Sequence, residues 1–447
     1  MPGKRWLLLA TPPSILYLVL VTLYFLAIPL GESPDEPGHL QCIQQVALYH
    51  RLPIVEPKPQ GEWWKPGVTL SGRMCYHMPL YYVGAGLLQK AISHVTGSPV
   101  AVDFPAYNEA FGETGVMFLH PNKQRLLQRE EPDVVLGVRI FSVLLGLGIV
   151  WATMATAHRL FPQFSMIPLV AGVWVAGWPQ FLFLSRAISN DVLATALASI
   201  TLVVLLQVGK PARYLALAVL SSLAVLTKVT MLFVAGAIMA VWVLEFVRFP
   251  LQRRALVRSA AAMLIVWAAT ATLVHQTPTI RANFWSSART FSAINERVFQ
   301  IEYWMEVGRL TLSSGWVRFG WMNVAAPDAT AYLWWSTVLG LSLLGFVCWW
   351  RSAPPERNLL AMVLLVWFLG AMASYVRINT AVFQPQFRFL QSLLPILSAL
   401  VAGGLLCIMP QRLRPQVLLC GALIVIAVII NGVIIWGIVM PRYGLSI

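Results

Sequence analysis

Apolar residues run along this chain in long blocks separated by polar segments, and the blocks are too continuous for the half-buried helices of a soluble domain. A bilayer core of roughly 30 Å takes about 17 to 25 apolar residues per helix, and about eleven runs approach or meet that length. They lie near residues 14–30, 134–157, 164–184, 190–208, 212–226, 229–247, 257–275, 330–349, 358–376, 388–409 and 417–438. The expected fold is all-α, a single integral membrane domain over residues 1–447. Two intervening segments, 31–133 and 276–329, are far longer than a turn between spans requires, so function is to be sought there. The first contains "GHLQCIQQVALYH" and "MPLYYVGAGLLQKAISHV", each too short or too polar to span, and both are expected as helices lying along the outer membrane surface. Its part from Asp103 to Asp133 reads as an irregular cap. In the second segment Phe284, Phe291, Ile294, Val298, Ile301 and Met305 recur at helical spacing, which predicts one amphipathic helix docked on that cap.

Composition agrees with a membrane chain: of 447 residues 58% are hydrophobic and 11% charged, which excludes a string of soluble domains. The net charge of +14 would suggest nucleic acid in a soluble protein. Here the cations follow the positive-inside rule, with Lys4, Arg5, Arg159, Lys210, Arg213, Arg248, Arg253, Arg254, Arg258, Arg351, Arg357, Arg412 and Arg414 in alternate loops. The excess is a topology signal with the N-terminus cytoplasmic, and nucleic acid is not an expected partner. The N-terminus has the basic start of a signal peptide but no small-x-small cleavage site before the acidic stretch, so the first run is expected as a retained signal anchor in the cytoplasmic membrane. Cys42 and Cys75 share the first outer segment, which leaves their pairing open. Arg139, Arg186, Asp191, Lys228, Arg377 and Arg388 all fall near outer ends of runs. Neither midplane charges nor a repeat between halves is visible, which counts against a transporter.

"ESPDEPGH", residues 32–39, follows the first run directly. Ser33 three residues before Glu36, with Pro34 between, predicts a capping box starting a surface helix. On such a helix Glu32, Asp35, Glu36 and His39 share one face. Crowded carboxylates there offer a general base. Two rival readings stay open: a divalent metal site, although the spacing fits no specific pattern, and a solvated acidic turn. Facing this layer, Lys228 in "LTKVT" and Arg388 in "QPQFRFLQ", with Arg377 nearby, are candidates to hold an anionic lipid headgroup such as a phosphate. The plainer reading of Lys228 is a snorkelling interfacial lysine, that of His77 a member of an aromatic belt, and that of Asn190 and Asp191 the cap of the fourth span.

As an ordered set, "SPDEPGH" at 33–39, "HMPLYY" at 77–82, "VRIFSVLLG" at 138–146, "SNDVLA" at 189–194, "LTKVT" at 226–230, "RFGWMNVAAP" at 318–327 and "FRFLQSLLP" at 387–395 resemble the GT-C superfamily of membrane glycosyltransferases. More narrowly, the chain is similar to a bacterial family of membrane proteins carrying a PDEP-x-H motif after the first span. The resemblance implies two surface helices in the first outer segment and a catalytic acid at the end of the first span. It also implies a polyprenyl-phosphate sugar as donor, a glycan, lipid or protein acceptor at the outer face, and inverting transfer. Carried over by motif, the acid falls on Asp35, with Glu36 second, and the phosphate-binding cations on Lys228 and Arg388. His39, His77, Asn190, Asp191 and Arg377 are expected to contact substrate. Phe387-Arg388-Phe389 stands where the family has Gly-Arg-Tyr, and Met78-Pro79-Leu80-Tyr81 where it has Pro-Pro-Leu-Tyr. A flippase for a lipid-linked sugar and a polysaccharide polymerase or ligase are the alternative readings.

Overall fold

The computed structural model describes residues 3–54, 73–102, 107–119, 131–352, 356–410 and 412–444. Helix α1, Gly3–Ala27, is followed by α2, Glu36–Tyr49, and α3, Leu80–Thr96; a single turn, α4, covers Phe111–Thr114. The bundle continues with α5 (Asp133–Leu160), α6 (Ile167–Ala176), α7 (Pro179–Ser185), α8 (Asn190–Leu205), α9 (Arg213–Thr227), α10 (Leu232–Arg248) and α11 (Arg253–Gln276). The second outer segment holds α12 (Pro278–Ser292), α13 (Ile301–Trp316) and a two-residue hairpin of β1 (Arg318–Phe319) and β2 (Val324–Ala325). The chain ends with α14 (Asp328–Ser352), α15 (Arg357–Ala381), α16 (Leu394–Cys407), α17 (Leu413–Ile434) and α18 (Met440–Tyr443).

This is a multi-pass membrane protein. All eleven apolar runs are helical, and among the described residues 8 helices are long and apolar enough to cross a bilayer. The pair α6 and α7 makes a ninth if it is taken as one span, bent by 70°. The other two runs, α8 and α9, are helices of 16 and 15 residues. The bend falls at Gly177–Pro179, because Pro179 cannot donate into the preceding turn. Backbone freed within the bundle needs a partner, and Asn431 of α17 supplies one by donating to the Gly177 carbonyl at 2.9 Å. Small residues bring α14 and α16 together: a Cβ on Gly345 would sit 1.9 Å from the Leu400 carbonyl oxygen, and one on Gly404 2.2 Å from that of Leu341. That contact seats the 3-10 turn Phe387–Leu393 at the head of α16, which carries Arg388.

In the first outer segment α2 and α3 appear where the short mixed-polarity stretches predicted helices, packed on each other, with α3 also packed on α5. A disulfide between Cys42 and Cys75 ties α2 to the turn Arg73–Tyr76, and a second joins Cys348 to Cys407 near the far ends of α14 and α16. Of the expected cap, residues 103–106 and 120–130 lie outside the described residues. The described part is pinned beneath: Glu32 accepts from the backbone N–H of Met117 and Phe118 at 3.2 and 3.0 Å, and Asn323 from the β1–β2 turn donates to the Gly115 carbonyl.

The single amphipathic helix expected in the second segment is instead two. α12 stops at Ser292; the Asn295 side chain caps a new turn by accepting from the Arg297 N–H at 3.0 Å, and α13 starts at Ile301. The break rotates the expected apolar row out of register, so Ile294, Ile301 and Met305 are 64%, 71% and 68% exposed. α12 packs against α11, α15 and the turn Arg73–Tyr76, where Asn283 donates to the His77 carbonyl and Ser287 to that of Tyr76, each at 3.1 Å.

Candidate active site

Between the end of α1 and the start of α2 the chain makes a tight turn rather than a capping box. Asp35 occupies the N-cap position of α2 in the left-handed region, φ 63°, with no side-chain cap bond; aspartate is among the few residues other than glycine that visit it readily. Ser33 is drawn away to accept from Arg186. The turn therefore scatters the acidic residues that a continuous helix would have aligned. Glu32 points to the cap and Glu36 into the protein, while Asp35 and His39 face a cavity.

Glu36 is fully buried and completely engaged. Arg139 donates to both its oxygens at 3.1 Å, and the backbone N–H groups of Gly31 and Ile188 donate at 3.0 and 3.1 Å. Burial alone would raise its pKa, but Arg139, Arg186 and these hydrogen bonds hold it below the usual glutamate value. Glu36 does not line the cavity, so its place as second candidate base is corrected: it is the strut that fixes the turn presenting Asp35. Arg139→Met, which leaves this carboxylate without its main partner, is expected to destabilise the protein by about 3–5 kcal/mol. Thermal unfolding in detergent measures that, and Glu36→Gln should lower the yield of folded protein more than turnover per folded molecule.

The cavity, about 330 Å³, is lined by Asp35, His39, Tyr76, His77, Asn190, Asp191, Lys228, Thr230, Gln384 and Arg388, with Ser287 and Thr290 from α12 on one wall. Arg388 donates to Asp35 Oδ2 at 2.8 Å and lies 3.7 Å from Asp191 Oδ2. Lys228 pairs with Asp191 Oδ1 and stands over the Phe389 ring, 4.6 Å from its centroid. Lys228 reaches inward because the chain is extended at this residue, between α9 and the 3-10 turn Val229–Met231. It is only 6% exposed, so the snorkelling reading is corrected. The capping reading of Asn190 and Asp191 is corrected likewise. Ser189 is the N-cap, its hydroxyl accepting from the Asp191 N–H at 3.1 Å, which leaves the Asp191 carboxylate for the two cations.

For Asp35, burial pushes the pKa up, but Arg388 and then His39 outweigh it and leave the carboxyl below its ordinary value. Burial likewise pushes Lys228 down, against the pull of Asp191. Among the described residues, three polar atoms at the cavity have no hydrogen-bond partner: Arg388 Nε, Asn190 Oδ1 and Thr230 Oγ1. Orphaned buried polar groups are expensive, and their grouping in one cavity marks a place for a polar ligand.

His39 Nδ1 lies 2.8 Å from the Tyr82 hydroxyl, and its ring stacks on His77 with centroids 6.0 Å apart. His77 therefore stands in the cavity wall rather than in an aromatic belt. Burial lowers the His39 pKa from 6.5 to about 4; Asp35 and Asp191 pull it up, while Arg388 and Lys228 push it down. Between those two values the unfolded chain binds a proton that the folded chain does not, so stability is expected to fall as pH drops from 6.5 to about 4. His77 is shifted the same way and adds to the slope. His39→Gln should flatten, without abolishing, the dependence of thermal midpoint on pH across that window.

Arg377 is not brought to the site. On α15 it donates to Thr380 Oγ1 at 2.8 Å and to the Ala293 carbonyl at 3.3 Å, bracing the end of α12 instead. Among the described residues no three His, Cys, Asp or Glu side chains converge as metal ligands, and both cavity carboxylates already pair with cations, so the donor set does not fit the divalent ion considered from sequence. Tyr76, Thr230, Gln384, Ser287 and Thr290 were not singled out from sequence. The one available signal was the pairing of Ser287 and Thr290 three residues apart on a helix otherwise marked by its apolar positions.

The fold is GT-C-like. The chain is similar to ArnT from Cupriavidus metallidurans bound to undecaprenyl phosphate, with a TM-score of 0.53 and 13% identity over 96% of this chain and 73% of that one. It is also similar to the Archaeoglobus fulgidus oligosaccharyltransferase in complex with Zn and sulfate, with a TM-score of 0.51 and 13% identity over 96% of this chain. It spans 53% of that enzyme's length. The same oligosaccharyltransferase tethered to an acceptor peptide containing the NVT sequon aligns with a TM-score of 0.50 and 12% identity, over 97% of this chain and 55% of the other. No protein-family model matches the chain, and no curated protein sequence does.

Proposed function

We propose that this protein is a membrane glycosyltransferase that moves a sugar from a polyprenyl-phosphate donor to an acceptor at the outer face of the cytoplasmic membrane. The N-terminus is cytoplasmic, and described residues of the segments 31–133 and 276–329, among them Tyr76, His77, Ser287 and Thr290, line the site. The observation that carries the reading is one cavity in which two cations, two carboxylates and three unpartnered polar atoms meet at the ends of membrane helices. The GT-C fold and the ordered motifs of the PDEP-x-H group support it.

Lys228 and Arg388 hold the donor's phosphate. Its charge grows as the bond from the anomeric carbon to the phosphate oxygen breaks, so the same cations favour the transition state over the bound donor. Recruiting Arg388 to the phosphate loosens its hold on Asp35. The released carboxylate takes the acceptor's proton as the acceptor oxygen attacks the anomeric carbon from the face opposite the phosphate, inverting it. Asn190 and Asp191 orient the donor head.

The test is purified protein in liposomes with a panel of labelled polyprenyl-phosphate hexoses and pentoses, supplied with membrane extract as acceptor source. A new glycosidic bond together with released polyprenyl phosphate is the expected result. Labelled donor that crosses the bilayer without such a bond would make the protein a flippase.

A further inference from the structure

α10 and α11 both pack on α9 and scarcely meet each other. The cleft left between them holds about 420 Å³, within the range of about 300–1,000 Å³ usual for small-molecule sites. Val225, Leu232, Ala235, Ala271 and Val274 give it apolar walls, and α12 crosses its end with Phe284. The hydroxyls at its depth are already engaged. Trp267 donates to Ser221 Oγ at 2.9 Å, Ser221 donates to the Ala218 carbonyl at 3.0 Å, and the Thr270 and Ser222 hydroxyls lie 2.9 Å apart. From Trp267 to His275 the cleft follows α11 for about 12 Å at 1.5 Å per residue, most of one leaflet of a hydrocarbon core roughly 30 Å thick. Its other end is polar: where α11 gives way to α12, it is lined by His275, Arg281 and Trp285. The Arg281 guanidinium has one hydrogen bond among the described residues, to the His275 carbonyl at 3.2 Å, and no ion pair, although it carries five donors. Trp285 is exposed, and tryptophan is a residue of the membrane–water interface.

We propose that this cleft binds an anionic phospholipid, with one acyl chain along α9 between α10 and α11 and the phosphate at Arg281, beside Trp285. Apolar walls around a void forfeit dispersion contacts that a hydrocarbon chain restores, and basic pockets between membrane helices take anionic headgroups. The site is separate from the cavity that holds Lys228. Between the two stands a packed apolar cluster of the buried residues Met78, Val229 and Ile280, with Val229 on the cavity side and Val274 and Phe284 on the cleft side. Among the described residues that cluster leaves no passage for a polyprenyl chain held by its phosphate at Lys228, so the cleft takes a second lipid rather than the donor's tail. The two sites share α12: Arg281 and Trp285 line the cleft, Ser287 and Thr290 the cavity. An occupied cleft therefore steadies one wall of the cavity. Lipid binding here stands or falls independently of the proposed sugar transfer.

The test uses the full-length protein, purified in detergent and incubated with dioleoyl phosphatidylglycerol or dioleoyl phosphatidylcholine, with bound lipid counted by native mass spectrometry. Preferential retention of phosphatidylglycerol is expected, together with a higher thermal midpoint in its presence. Ala271→Trp, which fills the cleft from an exposed position on α11, should abolish that retention. Arg281→Gln, at an exposed position on α12, should raise the Kd for phosphatidylglycerol about tenfold, the worth of one hydrogen bond to a charged group, and leave that for phosphatidylcholine unchanged. Equal retention of the two lipids, or phosphatidylglycerol held equally by wild type and both variants, overturns the proposal. Displacement of phosphatidylglycerol by polyprenyl phosphate overturns it as well, and would give the cleft to the donor's chain.

Discussion

Asp35→Asn is expected to cut sugar transfer by about 10²- to 10⁴-fold, the range typical for loss of a general base. Binding of polyprenyl phosphate should be kept or strengthened. Asparagine fills the same space and tolerates the left-handed turn at φ 63°, so the fold should survive the change. It removes the charge that pairs with Arg388 at 2.8 Å, which on the proposed mechanism frees the guanidinium for the phosphate and takes away the group that receives the acceptor's proton. The signature is therefore a fall in kcat without a rise in donor KM. Glu36→Gln is the internal comparison. Its carboxylate is enclosed by Arg139 and two backbone N–H groups, so its loss should appear in stability first.

Lys228→Met and Arg388→Met form the second large expectation, a loss of about 10²- to 10³-fold in kcat, as for removal of a donor aimed at charge developing in the transition state. Donor KM should rise as well. Each change also strands a carboxylate, so a fall in activity alone would not separate binding from folding. The double variant Lys228→Met/Asp191→Asn removes both charges of the pair. It should restore thermal stability relative to Lys228→Met while leaving donor binding weak; recovery of donor binding would assign Lys228 a purely structural part. Arg388→Lys should not replace arginine, because a lysine cannot reach the phosphate and keep two separated contacts from one planar fork.

The apolar runs, α2 and α3 were legible because hydrophobic length and periodicity are local properties of the chain. Asp35, His39, Lys228 and Arg388 were legible one by one, since each is an ionisable residue set against an apolar run. Their relations were not. Nothing local says that Glu36 would be taken by Arg139, or that Ser33 would turn to Arg186 and so leave no capping box. The same limit hid Ser189, which caps α8 and releases Asp191, and it made Arg377 look like a neighbour of Arg388 when the end of α15 aims it at Ala293. The apolar row of the second outer segment misled for a different reason. Its spacing continues through Asn295, but the asparagine cap interrupts the helix there, and a cap overrides a periodic pattern when both fall on the same turn.

On the proposed mechanism Lys228 and Arg388 together receive a lipid phosphate beside Asp35. A structure of the protein with bound polyprenyl phosphate, determined in lipid nanodiscs, tests it most directly. Phosphate oxygens are expected within about 3 Å of Lys228 Nζ and the Arg388 guanidinium, with Arg388 drawn away from Asp35. A phosphate bound elsewhere, with the Arg388–Asp35 and Lys228–Asp191 pairs intact, would contradict it.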